Sequence, residues 1–245
     1  EKIRLFNAEK SKIAALRGDL TKSLPVRIVA VKGRQVTIST YVQARFFLEA
    51  MWVPNLSVFV VAQGDDPATN ILRKSHLSYR KFLKPSLRRP TDRLPKDGIE
   101  WLQHGSRFVV STCDSELSRS FTFQRLHLSE YGHYGTFKNV ASALDAIHGG
   151  AIVVESTANG QTGPLWNMWA KAMDFDDVLA AWSSGNGEAL NDWNGFYRFF
   201  FPSYRDAGYQ TPQPDFMLRS LEASLDEDQR FEGEGGECQL LGLFL

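Results

Sequence analysis

Three short stretches of this sequence gather residues able to bind and cleave a phosphate ester, and each follows an apolar run. The first is Lys32-Gly33-Arg34-Gln35-Val36-Thr37-Ile38-Ser39-Thr40, after residues 26–31 (VRIVAV). The run is nearly all apolar and β-branched, which predicts a strand buried on both faces in a parallel sheet. A small polar turn follows, and then 41–51 (YVQARFFLEAM) places apolar residues at helical spacing. Strand, short loop and helix opening on Ser39-Thr40 is the layout of a phosphate-binding loop. Backbone N–H groups and the positive end of the helix dipole face an anion, and a hydroxyl is placed to reach Mg2+. The usual G-x-x-x-x-G-K-[ST] is not met: with Ser39 in the hydroxyl position, Ile38 stands where lysine is usual and Thr37 where glycine is. Lys32 precedes the loop and reaches the same phosphates if the loop curls back over them.

The second stretch, 121–129 (FTFQRLHLS), has strand character and runs into Glu130. An apolar strand ending in an acidic pair lets the first acid hold Mg2+ through water and the second orient the attacking water. Here the pair is Ser129-Glu130, so the first acid is missing. The third stretch is Ser156-Thr157-Ala158-Asn159-Gly160, after the core strand 151–155 (AIVVE). Small hydroxyl and amide residues at a strand's end can sense a γ-phosphate by hydrogen bonds and shift when it leaves. A rival use exists for His127, Glu130 and His133, since two imidazoles and a carboxylate can ligate Zn2+. Strand alternation, however, points His127 away from the other two, and the H-E-x-x-H spacing is absent.

K-x-R-Q-x-x-x-S-T after a buried strand resembles the deviant Walker A of viral large terminase subunits, the ATPases that package DNA into proheads. Many carry the lysine at the start of the loop, as Lys32 does. Residues 126–134 (LHLSEYGHY) resemble the subset of terminases with Ser-Glu followed by a small residue and an aromatic. Ser156-Thr157-Ala158-Asn159-Gly160 resembles the family's coupling motif, and the three occur in the family's order.

The resemblance implies an α/β fold of the P-loop NTPase type (RecA/ASCE-like), with a mostly parallel central sheet flanked by helices and a small C-terminal subdomain. It implies a tailed-phage or prophage ATPase, with ATP and Mg2+ as cofactors, coupling hydrolysis to DNA translocation. In that reading Lys32 and Arg34 cradle the phosphates with the backbone of Gly33, Gln35, Val36, Thr37 and Ile38. Ser39 or Thr40 ligates Mg2+, Ser129 offers a hydroxyl on the metal side, and Glu130 orients the water. Phe6, with Asn7, serves the adenine, although Lys10 stands near where glutamine is common. Ser156, Thr157 and Asn159 couple phosphate release to movement. Arg119 is the candidate transition-state arginine and Arg125 the second. The implied partners are double-stranded DNA, a portal protein, a small terminase subunit and further copies in a ring; the implied place is the host cytoplasm.

Two residues depart from the family. Thr37 takes the place of a glycine that adopts positive φ, and a β-branched residue kept there is expected to cost about 1–2 kcal/mol. Ser129 replaces the metal-side aspartate. Both keep open a catalytically degenerate prophage fragment or a non-enzymatic assembly subunit. A helicase-like P-loop ATPase is a third reading, for which a second RecA-like half would be wanted.

These motifs need a frame. Residues 1–24 read as a polar covering helix or two, 57–62 (SVFVVA) as a buried strand and 68–84 as a helix. A proline-containing basic stretch follows, with Lys81, Lys84, Arg88, Arg89, Arg93 and Lys96, read as a solvated loop or a surface near DNA. Residues 98–112 read as a hairpin turning at His104-Gly105-Ser106, 140–147 and 165–173 as helices, and 195–201 as a strand. The expected division is an ATPase domain over 1–180, a small linker or lid over 181–230 and an atypical tail over 231–245, with no nuclease domain. Charges balance at 28 basic and 28 acidic residues, so any DNA contact must come from a local patch. The two cysteines, Cys113 and Cys238, are far apart and imply neither a zinc site nor a disulfide framework. No apolar run approaches the ~20 residues of a membrane helix, and no signal peptide is evident.

Overall fold

The computed structural model describes residues 2–3, 26–34, 37–82, 84–91, 94–113, 122–134, 144, 147 and 150–202. Phe6, Asn7, Lys10, Gln35, Val36, Arg93 and Arg119 lie outside the described residues, as do most of the expected helices at 1–24 and 140–147. The described residues form one seven-stranded sheet, in the order β3-β4-β2-β5-β6-β1-β7. The strands are β1 Val26–Lys32, β2 Ser57–Ala62, β3 Gly98–Trp101, β4 Ser106–Thr112, β5 Arg125–Ser129, β6 Ala151–Thr157 and β7 Tyr197–Phe201. Every neighbouring pair is parallel except β3 and β4, the expected hairpin.

The central strands are apolar because both faces are covered, and all six residues of β2 are buried. Helix α1 (Ile38–Trp52) sets Val42, Phe46, Phe47, Ala50 and Met51 against one face, where they meet Val58, Val60 and Val153. The alternate residues Val29, Phe59, Val61, Leu126, Leu128, Ile152 and Val154 form the opposite core with Leu165 of α3 (Gly163–Ala170). Helix α2 (Asp65–Leu77) carries Asp65 and Asp66 in its first turn and Lys74 and His76 in its last, the charge order its dipole favours. Helix α4 (Phe175–Ser183) was not expected; it buries Val178 beside Tyr197.

The chain divides into two compact units, Glu1–Phe201 and Pro202–Leu245, and the structure describes only Pro202 of the second. The expected boundary at residues 180/181 falls inside the first unit. The reason is β7, which pairs with Ile28–Lys32 of β1 and so belongs to the central sheet. A run of aromatic residues marks a strand, but a parallel partner so distant in sequence leaves no local trace.

Candidate active site

In a parallel sheet all the strands deliver their C-terminal ends to one edge, and the sheet order decides which ends meet. Here β6 lies between β1 and β5. That order brings Lys32, Ser129-Glu130 and Ser156-Thr157 side by side, with α1 beginning just beyond β1. A cleft of ≈ 500 Å³ opens there, lined by Lys32, Arg34, Gln63, Glu130, His133 and Thr157.

Lys32 Nζ donates a 2.7 Å hydrogen bond to Glu130 Oε1 and lies 3.2 Å from Glu155 Oε2. Burial works against the ammonium charge, yet the two carboxylates prevail and hold Lys32 above its ordinary pKa. Glu130 reaches Lys32 because its backbone turns back at the end of β5, in the left-handed region at φ 58° and ψ 42°. Its other oxygen accepts from the Thr157 N–H at 3.1 Å and the Thr157 hydroxyl at 3.3 Å. His133 Nε2 stands 2.8 Å from Thr157 Oγ1, so the imidazole, the hydroxyl and the carboxylate form one chain. On the other side of β6, Ser156 Oγ accepts from Gly132 N at 3.1 Å, and Asn159 Nδ2 donates to Gly132 O at 2.8 Å. The three coupling candidates thus tie the end of β6 to Glu130 and to the turn that follows it.

Glu155 was read only as the last residue of a strand. It is fully buried, and the Ser129 hydroxyl donates to its Oε1 at 2.7 Å. His127 Nε2 lies 3.4 Å from the same oxygen. Desolvation alone would raise its pKa, but His127, Lys32 and the Ser129 hydroxyl hold it down at about 2. The sequence signal was a lone acid closing an otherwise apolar strand, and a buried charge of that kind needs partners. Gln63, just after β2, lines the cleft as well.

The loop corrects one expectation. Thr37 has φ −51° and ψ 16°, so it needs no positive φ and the expected strain does not arise. It is the N-cap of α1, makes no side-chain cap hydrogen bond, and no acid occupies the helix's first turn. The N–H groups around Ile38, Ser39 and Thr40 are therefore left facing the loop uncapped by Thr37, as an anion site requires. Gly33 departs from its expected role, because its N–H donates to Phe201 O of β7 at 2.8 Å. Arg34 is exposed on the rim of the cleft.

Arg125 lies away from this cleft. It opens β5, at the opposite edge of the sheet, where its Nε donates to Glu49 Oε2 at 2.6 Å. The zinc reading fails too: His127 faces Glu155 and His133 faces Thr157. Among the described residues no three His, Cys, Asp or Glu side chains are placed to hold a metal. What the chain offers Mg2+ is the hydroxyl at the start of α1 and the acid-bearing ends of β5 and β6. That donor set fits a hard cation whose remaining ligands are phosphates and water. One of the acid oxygens, Glu155 Oε2, is buried with no hydrogen-bond partner among the described residues.

No protein-family model matches the sequence, and no curated protein does. Among solved structures the chain is similar to the large terminase ATPase domain of Thermus phage P74-26. The TM-score is 0.52 at 14% identity, over 83% of this chain and 84% of that one. It is also similar to the large terminase of bacteriophage HK97, with a TM-score of 0.52 and 12% identity over 81% of this chain and 43% of that one. The chain spans less than half of the HK97 protein. At these identities the likeness is one of fold: a mostly parallel seven-stranded sheet with flanking helices, as in those terminase structures. No helix among the described residues is long and apolar enough to cross a membrane.

Proposed function

We propose that the chain is the ATPase domain of a DNA-packaging terminase large subunit, hydrolysing ATP with Mg2+ to drive double-stranded DNA into a prohead. The observation that carries this reading is the Lys32–Glu130 ion pair of 2.7 Å, which joins the end of β1 to the end of β5 in a fold shared with phage terminase ATPase domains. A cation placed for phosphate and a carboxylate placed for water stand in one charged cleft.

Lys32 and Arg34 receive the phosphates together with the backbone N–H groups at the start of α1. Ser39, in the first turn of that helix, offers its hydroxyl to Mg2+, with Thr40 beside it. Bound Mg2+ neutralises phosphate charge. Lys32 then exchanges Glu130 for phosphate, and the released carboxylate is free to orient and accept a proton from water. Thr157 and His133 hold Glu130 while this happens, and Ser156 and Asn159 carry the change into the turn at Gly132. Arg119 remains our candidate for an arginine acting between neighbouring copies. A portal protein, a small terminase subunit and other copies in a ring are the expected partners, in the host cytoplasm.

The test is thermal unfolding with and without a Mg-bound, non-hydrolysable ATP analogue. At about 100 times its dissociation constant the ligand adds about 2.7 kcal/mol, a rise of several degrees. Lys32→Ala should abolish the rise, and DNA should stimulate turnover in the unaltered chain. A second reading, a non-catalytic assembly subunit, is favoured by the missing acid at Ser129. It predicts no rise at millimolar nucleotide.

A further inference from the structure

The acid missing from β5 has a neighbour in space. The parallel register pairs Ser129 with Glu155, and the Ser129 hydroxyl donates to Glu155 Oε1 at 2.7 Å. Strand alternation puts both on the face that α1 covers, beside Lys32 and below the start of that helix. Glu155 Oε2 is fully buried, has no hydrogen-bond partner among the described residues, and points at the Lys32 ammonium 3.2 Å away. One lysine is therefore shared between two carboxylates. If Lys32 moves to phosphate, both carboxylates lose their counter-charge, and for the fully buried Glu155 that is unfavourable unless another cation takes its place.

We propose that Glu155 supplies from β6 the metal-side carboxylate that β5 lacks, with Ser129 fixing its orientation. This rests on the ATPase reading above. The two residues act as a composite acid: the hydroxyl stays on β5, and the charge comes from the adjoining strand. Its oxygen Oε2 is the group that would face the hydration shell of a divalent cation once Lys32 has left. His127, packed 3.4 Å from Oε1, holds the carboxylate's other edge.

The experiment uses the full chain, Mn2+ as the probe cation and a fluorescent, non-hydrolysable ATP analogue, with affinity measured in chelator and in Mn2+. For the unaltered chain binding should tighten about tenfold or more with Mn2+. Glu155→Gln should lose the Mn2+ gain, so that its affinities in chelator and in Mn2+ agree within about twofold. The relocated acid, Ser129→Asp with Glu155→Gln, should recover the gain. Mn2+ tightening that persists in Glu155→Gln overturns the proposal and leaves Glu155 a counter-ion of Lys32. Equal loss with and without metal overturns it as well, by assigning the effect to Lys32. So does a double variant that folds without recovering the gain. If Glu155→Gln does not fold, a folded double variant with metal-dependent binding upholds the composite acid, and two unfolded variants overturn it. An unaltered chain that binds no nucleotide at all overturns the ATPase reading and this one with it, an outcome distinct from the others.

Discussion

Glu130 holds a backbone conformation that costs an ordinary side chain about 1–2 kcal/mol, and the rest of the cleft is built to keep it there. Thr157 grips one carboxylate oxygen from two donors and Lys32 grips the other. On the ATPase reading proposed above, the same Lys32 contact opposes ligand binding, since phosphate would have to displace it. Glu130→Gln should therefore bind the ATP analogue more tightly while losing turnover. Glu130 is one-third exposed, so the gain is about 1 kcal/mol, or roughly fivefold in dissociation constant. The loss of a positioned base is expected to slow hydrolysis about 10²–10⁴-fold. Weaker binding by this variant would show that the ion pair does not compete with nucleotide. Glu155 was invisible at this scale because its meaning depends on Ser129, a neighbour only across the sheet.

At the scale of elements, α1 is tied to the sheet near its C-terminal end. Its start follows the loop from β1, and near its end Glu49 accepts from Arg125 of β5 at 2.6 Å and from Arg45 at 2.8 Å. Burial would raise the Glu49 pKa, but the hydrogen bonds and charges of Arg45 and Arg125 win and lower it from 4.5. A carboxylate depressed on folding adds stability that is complete above its unfolded value. That stability is lost as pH falls through the folded one. Denaturant midpoints measured downward from pH 6 should thus fall below pH 4.5, and Glu49→Gln should fall less steeply. At neutral pH that variant should be weaker by about 1–3 kcal/mol, because Arg125 is left half-buried without its partner. Parallel acid limbs for both proteins would remove Glu49 from the account. The sequence pattern had offered Arg125 to the active site. Its strand was right, but the arginine opens β5 and the chemistry closes it.

For the whole molecule, the two core layers share β2, and Phe59 is its largest buried side chain, stacked on Phe123 at a centroid distance of 4.6 Å. Phe59→Ala should cost about 3–5 kcal/mol, seen as a lower denaturant midpoint with an unchanged slope. A loss below about 1 kcal/mol would mean that the neighbours collapse into the space. Buried parallel strands were legible because both faces are apolar, so β1, β2 and β6 announced themselves in unbroken runs. The hairpin was legible from His104-Gly105, where Gly105 takes φ 67°. Sheet order was not, and β7, legible as a strand, gave no sign of its place at the edge, because nothing near Tyr197 specifies pairing with Ile28. The basic stretch after α2 is also less free than its composition suggests. Arg89 lies over the Trp52 ring at 5.1 Å, and the Tyr79 hydroxyl donates to the Arg89 carbonyl. With net charge zero, this anchored segment is where the packaging reading proposed above would put salt-dependent DNA contact.

The single hydrogen bond from Gly33 to Phe201 joins the root of the loop to the last residue of the first unit. Pro202 follows at once, buried, with its φ fixed by the ring and no N–H to give. On the ATPase reading proposed above, a displacement of the loop as phosphate arrives or departs would reach the last residue of β7 through that hydrogen bond.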